Sequence, residues 1–161
     1  MTALILFSHG SLLCGAGEAL EAHAARLRAG GDWDWVGVGY FNFSEPRFAQ
    51  TVEEAVAAGA RQIVVAPYFL VPGYFVSKSL PEVVRTAREA HPEVLFNIGE
   101  PLGFDDAMVD ALLQSALTAQ PRDHWRDPLV RAAEACRPSP ECPLFGTPAC
   151  PKAPYGVVAD V

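Results

Sequence analysis

Hydrophobic positions along this chain fall into two alternating kinds of run. Ala3–Ser8 is short, apolar and almost uninterrupted, the pattern of a strand buried on both faces. Gly15 to Arg28 follows with Ala16, Leu20, Ala24 and Leu27 on one helical face and charges opposite, and Gly30-Gly31 stops it. Trp35–Phe41 predicts a second strand, weakened by Gly37 and Gly39. Ser44–Ala58 predicts a helix with Ser44 as its cap, Pro46 in its first turn and Gly59 at its end. Arg61–Leu70 is the strongest strand pattern, Val76–Ala90 a third helix bounded by Pro92, Val94–Gly99 a fourth strand, and Phe104–Ala119 a fourth helix ended by Pro121.

Strict alternation of strand and helix implies right-handed βαβ units and a parallel sheet. The predicted fold is therefore α/β: a three-layer, flavodoxin-like sandwich with a four-stranded parallel sheet, spanning residues 1–120. Residues 121–161 read as a C-terminal extension. Asp127–Ala135 can form a short helix, and Arg137 to Pro154 holds six prolines and cannot be regular.

Composition narrows the partners. The chain has 161 residues, half of them hydrophobic, enough for a core without staples. A formal net charge of −7 with no Lys/Arg runs argues against nucleic acid or an anionic membrane. The first basic residue is Arg26, so no positive segment precedes the apolar start, unlike a signal peptide. The longest uncharged apolar stretch, Ile63 to Val76, is broken by Pro67, Pro72 and Gly73 and is too short to span a bilayer. A cytoplasmic protein is expected.

In open parallel sheets ligands bind beyond the carboxyl ends of the strands, where the βα loops converge. Four loops follow from the strand pattern: Ser8-His9-Gly10-Ser11, Asn42 to Pro46, Val71 to Phe75, and Glu100-Pro101-Leu102-Gly103. Polar residues and glycines collect there while the strands stay apolar. His9 leaves a buried strand and precedes a glycine, so its imidazole can ligate a metal or act as a base near neutral pH. Glu45 and Glu100, expected on neighbouring loops of that edge, can accept a proton, orient His9, or simply cap a helix. Tyr74 and Phe75 follow a Pro-Gly turn and offer a flat apolar wall to a large planar ligand, whereas Phe69 is expected in the core.

Other chemistries lack their residues. No Gly-Lys-Ser/Thr follows Gly10, Gly15 and Gly17, and the dinucleotide glycine spacing is missing. Ser11 is not in a Gly-x-Ser-x-Gly elbow. Ser8 stands where a histidine phosphatase would want Arg.

Four segments resemble the class II chelatases, the CbiX-type sirohydrochlorin cobalto- and ferrochelatases. Leu4 to Ser11 resembles the family's opening strand and His-Gly-Ser. Tyr40 to Gln50, with Glu45-Pro46, resembles its acid-Pro segment. Gly59 to Leu70, then Gly73 and Pro81, resembles its long apolar-Pro-x-Phe-Leu signature, and Pro101-Leu102-Gly103 its Pro-Leu-Gly. The likeness covers roughly residues 3–118. It implies insertion of a divalent metal, cobalt or iron, into a carboxylate-rich tetrapyrrole on the way to cobalamin or siroheme. It further implies His9 as metal ligand, Glu45 or Glu100 as proton acceptor, and Gly10, Ser11, Gly73, Tyr74 and Phe75 against the macrocycle. Arg47, Lys78 and helix N-terminal amides would meet its carboxylates.

The likeness fails at two positions. The family's second histidine corresponds to Phe75, in Gly73-Tyr74-Phe75-Val76, and its Asp ahead of Ile-Pro to Ser79. One neutral imidazole is a poor metal site. A two-fold dimer pairing two copies of His9, a contribution from His124, or a carboxylate from Glu45 or Glu100 would each complete it. His91 is expected at the opposite end of the sheet and His23 on a helix surface. A homodimer is expected, since so small a domain needs a second surface to enclose a tetrapyrrole.

Cys136, Cys142 and Cys150 lack the tight spacing of zinc ribbons, yet Cys142-Pro143 and Cys150-Pro151 fit the Cys-Pro pair that ends cluster-binding runs. With Cys14 they could hold a 4Fe-4S cluster, with His124 a zinc ion, or they hold no metal at all. Two functions stay open: a chelatase, or a degenerate chelatase fold that binds a tetrapyrrole or an iron–sulfur cluster without inserting metal.

Overall fold

The computed structural model describes residues 1–11 and 16–119. Four strands, β1 (Thr2–Ser8), β2 (Trp35–Tyr40), β3 (Gln62–Pro67) and β4 (Leu95–Ile98), form one sheet in the order β2-β1-β3-β4. All pairings are parallel, with Ile5 of β1 lying between Gly37 and Val65. Between them run α1 (Ala16–Gly30), α2 (Phe48–Ala57) and α3 (Leu80–Ala90), and α4 (Asp106–Leu117) follows β4. The predicted α/β architecture with its four-stranded parallel sheet is the observed one.

Period-two alternation sorts the strand residues into two cores. Ala3, Ile5, Phe7, Ile63, Val65 and Phe96 face α2 and α3, where they meet Phe48, Val52, Leu80 and Val84. Leu4, Leu6, Val36, Val38 and Tyr40 face α1 and meet Leu20 and Ala24. The glycines of β2 do not break it, because they let α2 close in. A Cβ on Gly39 would stand 3.1 Å from the Phe48 backbone, and one on Gly37 would run into the Trp35 ring.

Three boundaries depart from the predicted ones. The second helix begins at Phe48, not Ser44, because Tyr40 N–H donates to the Pro46 carbonyl (3.0 Å) and Arg47 pairs with Tyr40 as an isolated bridge. Extended backbone at Arg47 then caps the helix, with Gln50 Oε1 accepting from Arg47 N–H at 2.7 Å. The third strand ends at Pro67 rather than Leu70. Beyond it the chain turns toward the last loop, where Leu102 N–H donates to the Phe69 carbonyl (2.8 Å) and Gly103 leaves no room for a Cβ beside the Leu70 carbonyl. The third helix opens as a π-helical turn, Phe75–Ser79, in which Leu80 N–H reaches back to the Phe75 carbonyl. Pro81 has no N–H to continue an α-ladder through this point.

α4 starts cleanly, with the Asp105 carboxylate accepting from Ala107 N–H at 2.8 Å, yet it has no buried residue. On the α1 side of the sheet, Leu95 of β4 is 59% exposed. Among the described residues, no helix is long and apolar enough to cross a membrane.

Candidate functional site

The carboxyl edge of the sheet is stitched together by backbone. Phe41 N–H donates to the Ser8 carbonyl (2.8 Å) and Asn42 N–H to the His9 carbonyl (3.0 Å), which ties the loops after β1 and β2 together. Gly10 permits this. Its φ is +86°, and a Cβ there would overlap the Asn42 carbonyl. Ser44 adds a side-chain clasp: its hydroxyl accepts from Ser11 N–H at 3.0 Å and donates to the Ser11 carbonyl at 3.2 Å. Phe43, at φ +62°, turns the second loop outward.

His9 sits exposed at the end of β1, and its ring lies in an aromatic nest. Phe75 stacks on it with centroids 5.3 Å apart and planes 24° apart, and Phe69 lies 6.0 Å away. Phe69 and Phe75 themselves stack at 6.1 Å, while Phe41 meets Phe75 edge-on at 5.7 Å. Stacking holds the plane of the imidazole. Neither ring nitrogen has a hydrogen-bond partner among the described residues. Phe69 does pack partly against the larger core, as expected, but it also backs His9.

Glu45 and Arg47 are brought together rather than to His9. Arg47 Nε donates to Glu45 Oε1 at 3.0 Å, and Arg47 N–H to Glu45 Oε2 at 3.0 Å. The expectation that Glu45 and Glu100 share neighbouring loops is corrected by the strand order. They follow β2 and β4, the two outer strands, which lie three strand spacings apart, about 14 Å. Glu100 and Lys78 are exposed. Tyr74 is 73% exposed, and with Phe43, Leu70 and Val71 it gives the loops flanking His9 an apolar rim. Gly73 has open space around it.

His23 and His91 lie where the pattern put them. His23 is on the exposed face of α1, against Tyr68 (5.5 Å between centroids). His91 ends α3, its Nε2 lying 3.0 Å from Glu53 Oε1. Among the described residues no three His, Cys, Asp or Glu side chains gather to hold a metal ion. Cys14, His124, Cys136, Cys142 and Cys150 lie outside the described residues. A groove of about 400 Å³ opens between α2 and α3, lined by Phe48, Val52, Val83 and Ala87, with Phe41 joining it to the aromatic nest.

Phe41 and Asn42 were not singled out by sequence reasoning. Phe41 backs Phe75, and Asn42 Oδ1 is buried without a hydrogen-bond partner among the described residues. Their signal was position, the first residues past the strand beside that of His9, which carries no chemical label of its own.

A strand-one histidine presented this way, at a parallel sheet's carboxyl edge, sits inside a sequence that matches the CbiX family model over residues 3–119. The chain belongs to the CbiX family. Among relatives, a sirohydrochlorin cobaltochelatase of Methanococcus maripaludis is 28% identical, the match covering 72% of this chain and 98% of that one. A sirohydrochlorin ferrochelatase of Priestia megaterium is 26% identical, covering 71% of this chain and 43% of that one. The sirohydrochlorin chelatase SirB of Bacillus subtilis, solved with cobalt, superposes with a TM-score of 0.69 at 23% identity, covering 72% of this chain and 50% of that one. For this CbiX-family chain, the SirB likeness supports the fold.

Proposed function

We propose that this protein is a metal chelatase that inserts a divalent ion, cobalt or iron, into sirohydrochlorin. The observation that carries the reading is the exposed His9 imidazole, held by ring stacking at the mouth of the sheet inside an apolar rim. The family match and the names of the relatives supply the substrate class.

Insertion exchanges one divalent ion for two pyrrole protons. His9 presents the ion through a neutral nitrogen. Arg47 meets a substrate carboxylate; doing so loosens its pair with Glu45, which is then free to accept a pyrrole proton. Glu45 follows the strand next to β1, whereas Glu100 follows a strand two places away, so Glu45 is the proton acceptor of choice. Gly10 and Ser11 shape the floor, and Tyr74 and Phe75 the wall. Lys78 is a second cation for the carboxylates.

Absorbance-monitored insertion of cobalt into sirohydrochlorin tests this, comparing the protein with His9→Ala. At least about a tenfold loss is expected on removing a metal ligand. Equal rates would take His9 out of the mechanism. Phe75 at the second-histidine position favours one rival reading, tetrapyrrole binding without insertion; binding with no turnover for either metal would select it.

The working unit is inferred to be a homodimer. α4 exposes Val109, Leu112, Leu113 and Leu117, and β4 exposes Leu95, so each copy offers an uncovered apolar helix and sheet edge.

A further inference from the structure

Metal insertion leaves the groove between α2 and α3 without a task. Its floor is hydrocarbon: Phe48, Val52 and Ala87 are buried there. Ala49 on α2 and Ala87 and Ala90 on α3 are too short to fill the space between the two helices, so about 400 Å³ stays open among the described residues. That volume lies within the range of small-molecule sites, roughly 300–1,000 Å³.

The two ends of the groove differ in charge. Arg47 stands at the N-terminal end of α2, where the helix dipole also favours an anion. Its Nε donates to Glu45 Oε1 at 3.0 Å and its Nη1 to the Phe41 carbonyl at 3.3 Å. A guanidinium has five N–H donors, and Arg47 Nη2 has no partner among the described residues, so it can take a carboxylate without giving up either bond. Glu53 stands six residues further along α2, about 9 Å away at the helical rise. There His91 Nε2 lies 3.0 Å from Glu53 Oε1, and His91 Nδ1 lies 3.9 Å from Glu93 Oε1. Two carboxylates against one imidazole make that end repel a second anion. Between the ends lie Val52, Val83 and Ala87, and the Thr86 hydroxyl donates to the Glu82 carbonyl of its own helix (3.2 Å).

We propose that this groove is a second ligand site and that it takes a slender apolar monocarboxylate. The carboxylate meets Arg47, the chain lies along Val52, Val83 and Ala87, and the tail that approaches His91 and Glu53 is uncharged. Occupancy reaches His9 through Phe41, whose ring lines the groove and meets Phe75 edge-on at 5.7 Å, with Phe75 stacked on His9. The site stands on the groove alone, whatever ligand His9 takes.

The test uses the full chain with octanoate as probe, read by nuclear magnetic resonance. Saturable binding is expected, with nuclear Overhauser contacts from the octanoate chain to the Val52 and Val83 methyls and a shift of the His9 ring resonances at the same midpoint. Octanol, which lacks the charge, and octanedioate, which brings a second one to the Glu53 end, should each bind at least about fivefold more weakly. Arg47→Gln should bring octanoate down to the level of octanol. Thr86→Phe, at an exposed position on the groove wall, should weaken octanoate at least about tenfold with an unchanged circular dichroism spectrum. Contacts to Leu70 and Val71 alone would place octanoate on the loops around His9 and overturn the site, as would octanol binding equally well or no binding at all. Dissociation of a dimer by octanoate in sedimentation would assign the groove to a second copy of the chain and overturn the ligand. His9 resonances that stay still while octanoate contacts Val83 would overturn the link through Phe41.

Discussion

Phe75 lies ring against ring with His9, centroids 5.3 Å apart. A substitution there tests the site directly. Phe75→His would set two imidazoles side by side and turn a single donor into a chelating pair. Binding of free cobalt(II) to this variant, followed by calorimetry, should be at least about tenfold tighter than to the native protein. No gain would mean that side chains at position 75 do not share the space in front of His9. Gly10 makes a separate claim. Alanine at φ +86°, against the Asn42 carbonyl, should cost roughly 1–3 kcal/mol in denaturant unfolding and loosen the His9 loop. An unchanged midpoint would show that the loop gives way freely. At this scale the sequence showed the place of His9, exposed just past a buried strand and followed by a glycine at positive φ. It did not disclose the roles of Phe41 or Asn42, whose contacts exist only once two loops from separate strands close on each other.

The elements show how a small sheet keeps its outer strands quiet. Among the described residues β2 and β4 have one side each with no neighbouring strand, and helix side chains bond to their carbonyls. Arg28 Nε of α1 donates to Val36 O at 2.8 Å, the Thr51 hydroxyl of α2 to Val38 O at 2.6 Å, and the Arg88 guanidinium of α3 to Phe96 O at 2.8 Å. Thr51 is buried, so Thr51→Val removes its bond without removing its volume. A loss of about 1–3 kcal/mol in unfolding free energy is expected, with tetrapyrrole binding unchanged. A neutral result would mean that Val38 finds another donor. Strand and helix existence followed from period and Gly/Pro punctuation. The ends of α2 and β3 did not, since Tyr40–Pro46 and Phe69–Leu102 backbone bonds set them and no local pattern announces a bond between segments. The π-helical turn was equally hidden, though Pro81 marked where regular α-geometry would fail.

Among the described residues, the sandwich is filled on one side and half filled on the other. α2 and α3 cover one face across β1, β3 and β4; among the described residues, α1 alone packs the opposite face, over β1 and β2. Val64 and Ala66 are half-buried there and Leu95 is exposed, while α4, the helix that follows β4, buries nothing. An apolar helix and an apolar strip of sheet on the same chain are self-complementary, so a two-fold arrangement can satisfy both at once. The expected outcome is a dimer in sedimentation at micromolar concentration. Leu112, 66% exposed on α4, is the position to challenge, because Leu112→Asp puts a charge on the helix without removing any buried contact within one copy. That variant should sediment as a monomer with an unchanged circular dichroism spectrum, and its hold on sirohydrochlorin should weaken if the second copy helps enclose the macrocycle. If the native protein is itself monomeric, or if the variant dimerises undiminished, α4 is not the contact, and the His9 mouth must enclose its ligand from a single chain.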